Sequence, residues 1–125
     1  MLCAIGCLHV AWAAGLRWGK DAVIPTVAGR PTLRPGRTAT LVIGFLLLLA
    51  ADMYVGAADG RAPHLLYRLG PVAVAVVLAG RAVGDRRTFG FTKQVNDTAF
   101  ARLDTRWLTP LCVVLAVCGL LVATG

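Results

Sequence analysis

Residues 41–51 form an eleven-residue stretch without a single charge. They lie inside one of four apolar runs that decide what this chain can fold into. A helix crossing the roughly 30 Å hydrocarbon core of a bilayer needs about 20 mostly apolar residues. The runs at 2–16, 39–58, 64–83 and 107–123 approach that length. Pro71 falls within the third and Pro110 near the start of the fourth, where membrane helices tolerate proline as a kink. Open sheets would leave unpaired N–H and C=O groups in lipid, and residues 72–79 lack the alternation of a barrel strand. The expected fold is all-α: a four-helix transmembrane bundle forming one integral membrane domain over residues 1–125, with short irregular loops.

Composition narrows the function classes. Hydrophobic residues make up 58% of the chain and mean hydropathy is +0.72, which excludes disorder and argues against a water-soluble globule. The formal charge is +7, but cations separated by long apolar blocks do not predict a nucleic-acid partner. The sequence contains neither Ser nor Glu, so serine-nucleophile chemistry and glutamate-driven proton coupling are excluded.

The first run starts at Met1 and is short. Residues 4–7, Ala-Ile-Gly-Cys, faintly resemble a lipoprotein cleavage site, yet no basic residue precedes them as a signal peptide requires. The expectation is an uncleaved first helix whose true start lies a few residues upstream.

Charge sets the orientation. Arg17, Lys20, Arg30, Arg34 and Arg37 follow the first run; Arg81, Arg86, Arg87, Lys93, Arg102 and Arg106 lie between the third and fourth. The middle connection holds only Arg61 and Arg68. Eleven cations against two place loops 17–38 and 84–106 in the cytoplasm and both termini outside. The same residues predict contact with anionic headgroups. Trp18 reads as an interfacial anchor. The prolines and glycines that follow it, Pro25, Gly29, Pro31, Pro35 and Gly36, predict a turn or short hairpin. In the third loop, Phe89, Phe91, Val95, Phe100 and Leu103 alternate with charges. That pattern predicts an interfacial helix over residues 98–105 before the last span, capped by Asn96 or Asp97. The sequon at Asn96 is accidental in a cytoplasmic loop.

Three groups of residues taken together resemble a known family. The first is His9-x-x-Trp12-Ala13-x-Gly15 with Arg17-Trp18-Gly19 and Pro25; the second is Arg81-Ala82-Val83-Gly84-Asp85. The third is Phe100-Ala101-Arg102-Leu103-Asp104-Thr105-Arg106, closed by Thr109-Pro110-Leu111-Cys112. In this order they resemble the bacterial membrane-protein family named domain of unknown function 3995. The resemblance implies four spans, often with a longer first helix, and a bacterial cytoplasmic membrane. It implies no activity, ligand or cofactor.

The residues that could carry chemistry are few. Cys3, Cys7, Ala11, Gly15 and Gly19 recur every fourth position, a small-residue seam of the kind that lets helices approach closely in lipid. Gly80 and Gly84 form a second. His9 is an ionisable group inside a span, a functional candidate by default; the plainer reading is a neutral imidazole bonded to a backbone carbonyl. Asp52 is expected to snorkel to the outer surface, and His64 lies at the outer boundary. Arg81 and Asp85, four apart, are spaced for an ion pair, with Asp104 and Arg106 at the inner mouth of the last helix. These four either cancel charge at the membrane edge or form a polar pocket gripping a phosphate or carboxylate, floored by His9 and Trp12. No converging ligand set predicts a metal. Cys3, Cys7, Cys112 and Cys118 lack the Cys-x-x-Cys spacing of a redox pair, and no cofactor is expected. The leading expectation is a structural or interaction component of the membrane, with a homo-oligomer left open. The alternative is a membrane enzyme or small-molecule or lipid binder using the inner-leaflet cluster. A small multidrug-type transporter ranks third, since such proteins need an intramembrane Glu.

Overall fold

A computed structural model describes residues 1–60 and 65–125. Arg61 and His64, used above for the charge count and the outer boundary, lie outside the described residues. The elements in order are α1 (Leu2–Ala13), an antiparallel pair β1 (Thr26–Val27) and β2 (Arg30–Pro31), α2 (Arg37–Ala58), α3 (Leu65–Val83) and α4 (Ala99–Thr124). The last three are long and apolar enough to cross a membrane. With 12 residues, α1 reaches only about 18 Å at 1.5 Å per residue, which is less than the hydrocarbon thickness.

The proline-rich loop forms the expected hairpin. Thr26 stands opposite Pro31 and Val27 opposite Arg30, and Ala28 and Gly29 both take positive φ at the turn, as two-residue hairpins require. The last helix differs from expectation. Helix runs without a break from Ala99 through Thr124, so the interfacial segment and the span are one element. Thr98, rather than Asn96 or Asp97, caps it: its Oγ1 accepts the Ala101 N–H at 3.0 Å.

The chain packs as two compact units. One comprises Met1–Trp18, Pro35–Val74 and Gly119–Gly125; the other comprises Gly19–Arg34 and Ala75–Cys118. In the first, α1 lies against α2 where Gly6 meets Gly44. A Cβ at Gly6 would stand 2.9 Å from Leu48 Cγ, and one at Gly44 3.0 Å from Val10 Cγ2. Further contacts of this kind join Gly56 to the Tyr67 ring, Gly70 to Met53 and Gly119 to Tyr54. Small residues thus set helix approach in this unit, as in lipid-solvated helix pairs. They are not the residues of the expected seams. Cys3 and Cys7 are exposed, and nothing lies within 4 Å of a Cβ position at Gly15, Gly19 or Gly80. The reason is geometric: α1 turns Leu2, Gly6 and Trp12 inward, and Gly15 and Gly19 follow its end.

The second unit gathers residues 19–34 of the first basic loop and the whole of the second. The helical turn Asp21–Val23 ahead of the hairpin touches the first turns of α4. This unit carries nine basic and four acidic residues, net +5 of the chain's +7.

Candidate functional site

The site grows from the C-terminus of α3. The helix ends at Val83 because Gly84 turns left-handed, with φ +93, after its N–H makes the last helical bond to Gly80 O at 3.0 Å. Helix ends leave carbonyls without intrahelical partners. Here the loop folds back to supply donors. Phe91 N–H reaches Ala82 O at 2.8 Å; Thr92 gives Val83 O its N–H at 3.1 Å and its hydroxyl at 2.7 Å. The fold-back requires the backbone at Gly90 to press against Gly84, where a side chain on either would collide.

Asp85 shapes the intervening turn. Its Oδ1 accepts the N–H groups of Thr88 (2.7 Å), Arg87 (2.9 Å) and Phe89 (3.1 Å), while Oδ2 accepts Thr88 Oγ1 at 2.6 Å. It therefore does not pair with Arg81 as the spacing of four predicted, because the helix has already ended and Asp85 faces its own loop. Partial burial pushes this carboxyl up, but the bonds from Thr88, Phe89 and Arg87 outweigh it and hold it well below the usual carboxylate range. A depressed folded pKa stabilises above the unfolded value of about 3.9 and loses that stabilisation as pH falls below it. Thermal melts between pH 2 and 6 should show this loss in the native protein, with a smaller acid slope in Asp85→Asn.

Asp104 is the centre of the arrangement and is fully buried. Its Oδ1 accepts Arg81 Nη2 at 2.7 Å; Oδ2 accepts Lys93 Nζ at 3.0 Å and the Gly90 N–H at 2.8 Å. Lys93, also buried, gives its other two protons to Thr105 Oγ1 (2.6 Å) and Gly90 O (3.3 Å). Thr105 in turn donates to Ala101 O at 3.0 Å. The Arg81 guanidinium lies 4.5 Å from the centroid of the Phe89 ring, a cation–π contact. A buried ion cluster survives only when its charges are paired and its remaining donors satisfied. Asp104 and Lys93 meet that condition.

The backbone of α4 helps to place these groups. A π-helical turn covers Asp104–Leu108, with the Thr109 N–H bonded to Asp104 O. Pro110 has no N–H to give Arg106 O and its ring crowds that carbonyl, so the preceding turn widens. Asp104 and Thr109, joined by this wide turn, are both fully buried.

The remaining predicted residues sit elsewhere. Arg106 is exposed on α4. His9 and Trp12 belong to the first unit and the other four to the second. His9 donates from Nδ1 to Ile5 O at 2.9 Å and stacks at a tilt on Trp12, centroids 5.0 Å apart. Buried Trp12 donates from Nε1 to Trp18 O at 2.8 Å, tying the start of the basic loop to α1. Among the described residues no group of three His, Cys, Asp or Glu side chains converges as a metal site. Sequence reasoning missed Lys93, Gly90 and Phe89. Lys93 was one cation among many in a basic loop, and nothing local marked it as the one that turns inward.

These features define a small helical protein with three helices of membrane-crossing length and apolarity and a buried, Asp104-centred ion cluster. The chain belongs to the family described as protein of unknown function (DUF3995), whose family model matches residues 2–119. No curated protein and no solved structure matches the chain.

Proposed function

We propose that this is a small multi-pass integral membrane protein of the bacterial cytoplasmic membrane, with a structural or interaction role. In this reading the Asp104 cluster fastens the 84–98 loop to α3 and α4 and is not a reaction centre. The observation that carries it is an inverted distribution of polarity. Asp104 and Lys93 are buried, whereas Phe45, Val76, Val77 and Leu121 are 61–70% exposed. Water would penalise that apolar exterior and lipid does not. The bonding of Asp104 to two cations and a backbone N–H, and of all three Lys93 protons to fixed acceptors, supports a fastening role over general acid–base work.

Residues 19–34 of the first basic loop and all of the second fall in one compact unit, which supports their sharing the cytoplasmic side. Three crossings by α2, α3 and α4 suffice to place loops 17–38 and 84–106 together, whatever depth α1 reaches. Anionic headgroups on that side are the partner the charge favours.

The test uses a variant with all four native cysteines changed to alanine, carrying either Asp59→Cys or Gln94→Cys. In intact cells a membrane-impermeant thiol reagent should label the first and spare the second. Reversed labelling would overturn the orientation, and release of the protein from membranes by alkaline carbonate would overturn the membrane reading itself.

A further inference from the structure

α4 is longer than a bilayer requires. Its 26 residues reach about 39 Å at 1.5 Å per residue, roughly 9 Å more than the hydrocarbon core. All of its charges, Arg102, Asp104 and Arg106, precede Trp107. The 18 residues from Trp107 to Thr124 carry none and span about 27 Å. The excess length therefore falls at the start of the helix, which puts Arg102 and Arg106 in the headgroup layer and Trp107 at its lower edge, the depth that tryptophan favours.

One face of this helix changes character along its length. Arg102, Arg106, Pro110, Val114 and Val117 recur at steps of three or four residues and are all exposed, so they share a face, with exposed Trp107 at its edge. Asp104 lies between the two arginines in sequence but on the opposite, buried side, where Arg81 and Lys93 hold it. Among the described residues neither Arg102 nor Arg106 pairs with a carboxylate. Arg102 gives Nη1 to the Asp97 carbonyl at 3.1 Å, which steadies the guanidinium and engages only part of its set of five N–H donors. The face thus presents two cations a helical turn apart, then an indole, then an apolar strip.

We propose that this face seats one anionic phospholipid, its phosphate held between Arg102 and Arg106 and an acyl chain lying along Trp107, Val114 and Val117. The proposal rests on the membrane reading and deepens it by naming the residues that meet the headgroup. Each guanidinium offers a planar fork of donors to phosphate oxygens. The order of the groups selects a lipid over a soluble anion or an acidic protein segment, because a phospholipid joins a phosphate to an apolar chain in that same order. A zwitterionic lipid brings a cation of its own toward the two arginines and fits less well.

The full-length protein, purified in mild detergent, is incubated with phosphatidylglycerol or with phosphatidylcholine, and bound lipid is read by native mass spectrometry. The native protein is expected to retain phosphatidylglycerol well above phosphatidylcholine. Arg102→Gln and Arg106→Gln should each weaken retention of phosphatidylglycerol about fivefold, the effect of one cation near an anionic surface, and the double variant should lose more than either. Arg30→Gln combined with Arg34→Gln removes the same charge from exposed positions of the same unit and should leave retention close to native. Equal losses in the two double variants would mean a diffuse field of charge and overturn the proposal. Equal retention of the two lipids, no bound lipid, or displacement by millimolar inorganic phosphate, which makes no use of the apolar strip, would overturn it too. Carbonate extraction of membranes carrying the native protein separates this failure from that of the membrane reading, because a protein that resists extraction yet retains no phosphatidylglycerol sinks the lipid seat alone.

Discussion

Asp104→Ala is expected to cost about 3–5 kcal/mol, the range for removing one partner of a buried ion pair. That is a large part of the 5–15 kcal/mol that holds a typical domain together. The loss is severe because the carboxylate serves two cations and a backbone N–H at once. Its removal leaves Lys93, only 4% exposed over its side chain, as a buried ammonium without its counter-charge. Loss of the folded form should appear as a lowered melting temperature in detergent and faster proteolysis within residues 84–98. A second variant separates fastening from chemistry. Replacing Arg81, Lys93 and Asp104 together by Met, Met and Leu removes the desolvated charges along with their pairing, an exchange that is often neutral or stabilising. Recovery of stability in the triple variant is the expected result for a structural cluster. A triple variant that folds well yet loses a cellular phenotype would instead give the cluster a function beyond holding the loop.

The helices were legible in the sequence to within a few residues where the apolar runs had clear ends. Expected spans at 39–58 and 64–83 compare with Arg37–Ala58 and Leu65–Val83. The last helix was not legible in the same way. Arg102 and Asp104 read as part of a short interfacial helix over residues 98–105, separate from a span beginning at 107, with Arg106 between them and Pro110 near the start of the span. The helix runs through all of them because Asp104 is neutralised from elsewhere while Arg102 and Arg106 face outward. No local rule sees a partner 23 residues away, which is the separation of Arg81 from Asp104. Pairing at a spacing of four pointed to Asp85 instead, and that rule failed because the helix had stopped at Val83. The hairpin was legible because proline and glycine act locally; the inward turn of Lys93 was not, because it depends on the fold-back of a whole loop.

That fold-back gives the second large effect. Gly84→Ala and Gly90→Ala should each cost about 2–5 kcal/mol, from two sources that add. Positive φ values of +93 and +82 cost an L-residue about 1–2 kcal/mol, and forcing a methyl into a filled space costs about 1–3 kcal/mol more. The space is filled by backbone. A Cβ at Gly90 would stand 2.6 Å from Val83 O, and one at Gly84 would collide with the Phe89 carbonyl, so no side-chain rotation relieves either clash. Separating the two segments would also withdraw the donors of Phe91 and Thr92 from the end of α3 and pull the Gly90 N–H away from Asp104. The cluster and the helix cap should therefore fail together. Gly80→Ala is the control: it lies one turn earlier on the same helix, has nothing within 4 Å of its Cβ position, and should be neutral or gain up to about 1 kcal/mol of helix propensity. Melting temperatures of the three variants in one detergent decide the matter. Equal losses at Gly80 and Gly84 would mean that helix packing, and not the fold-back onto Gly90, is what requires glycine at the end of α3.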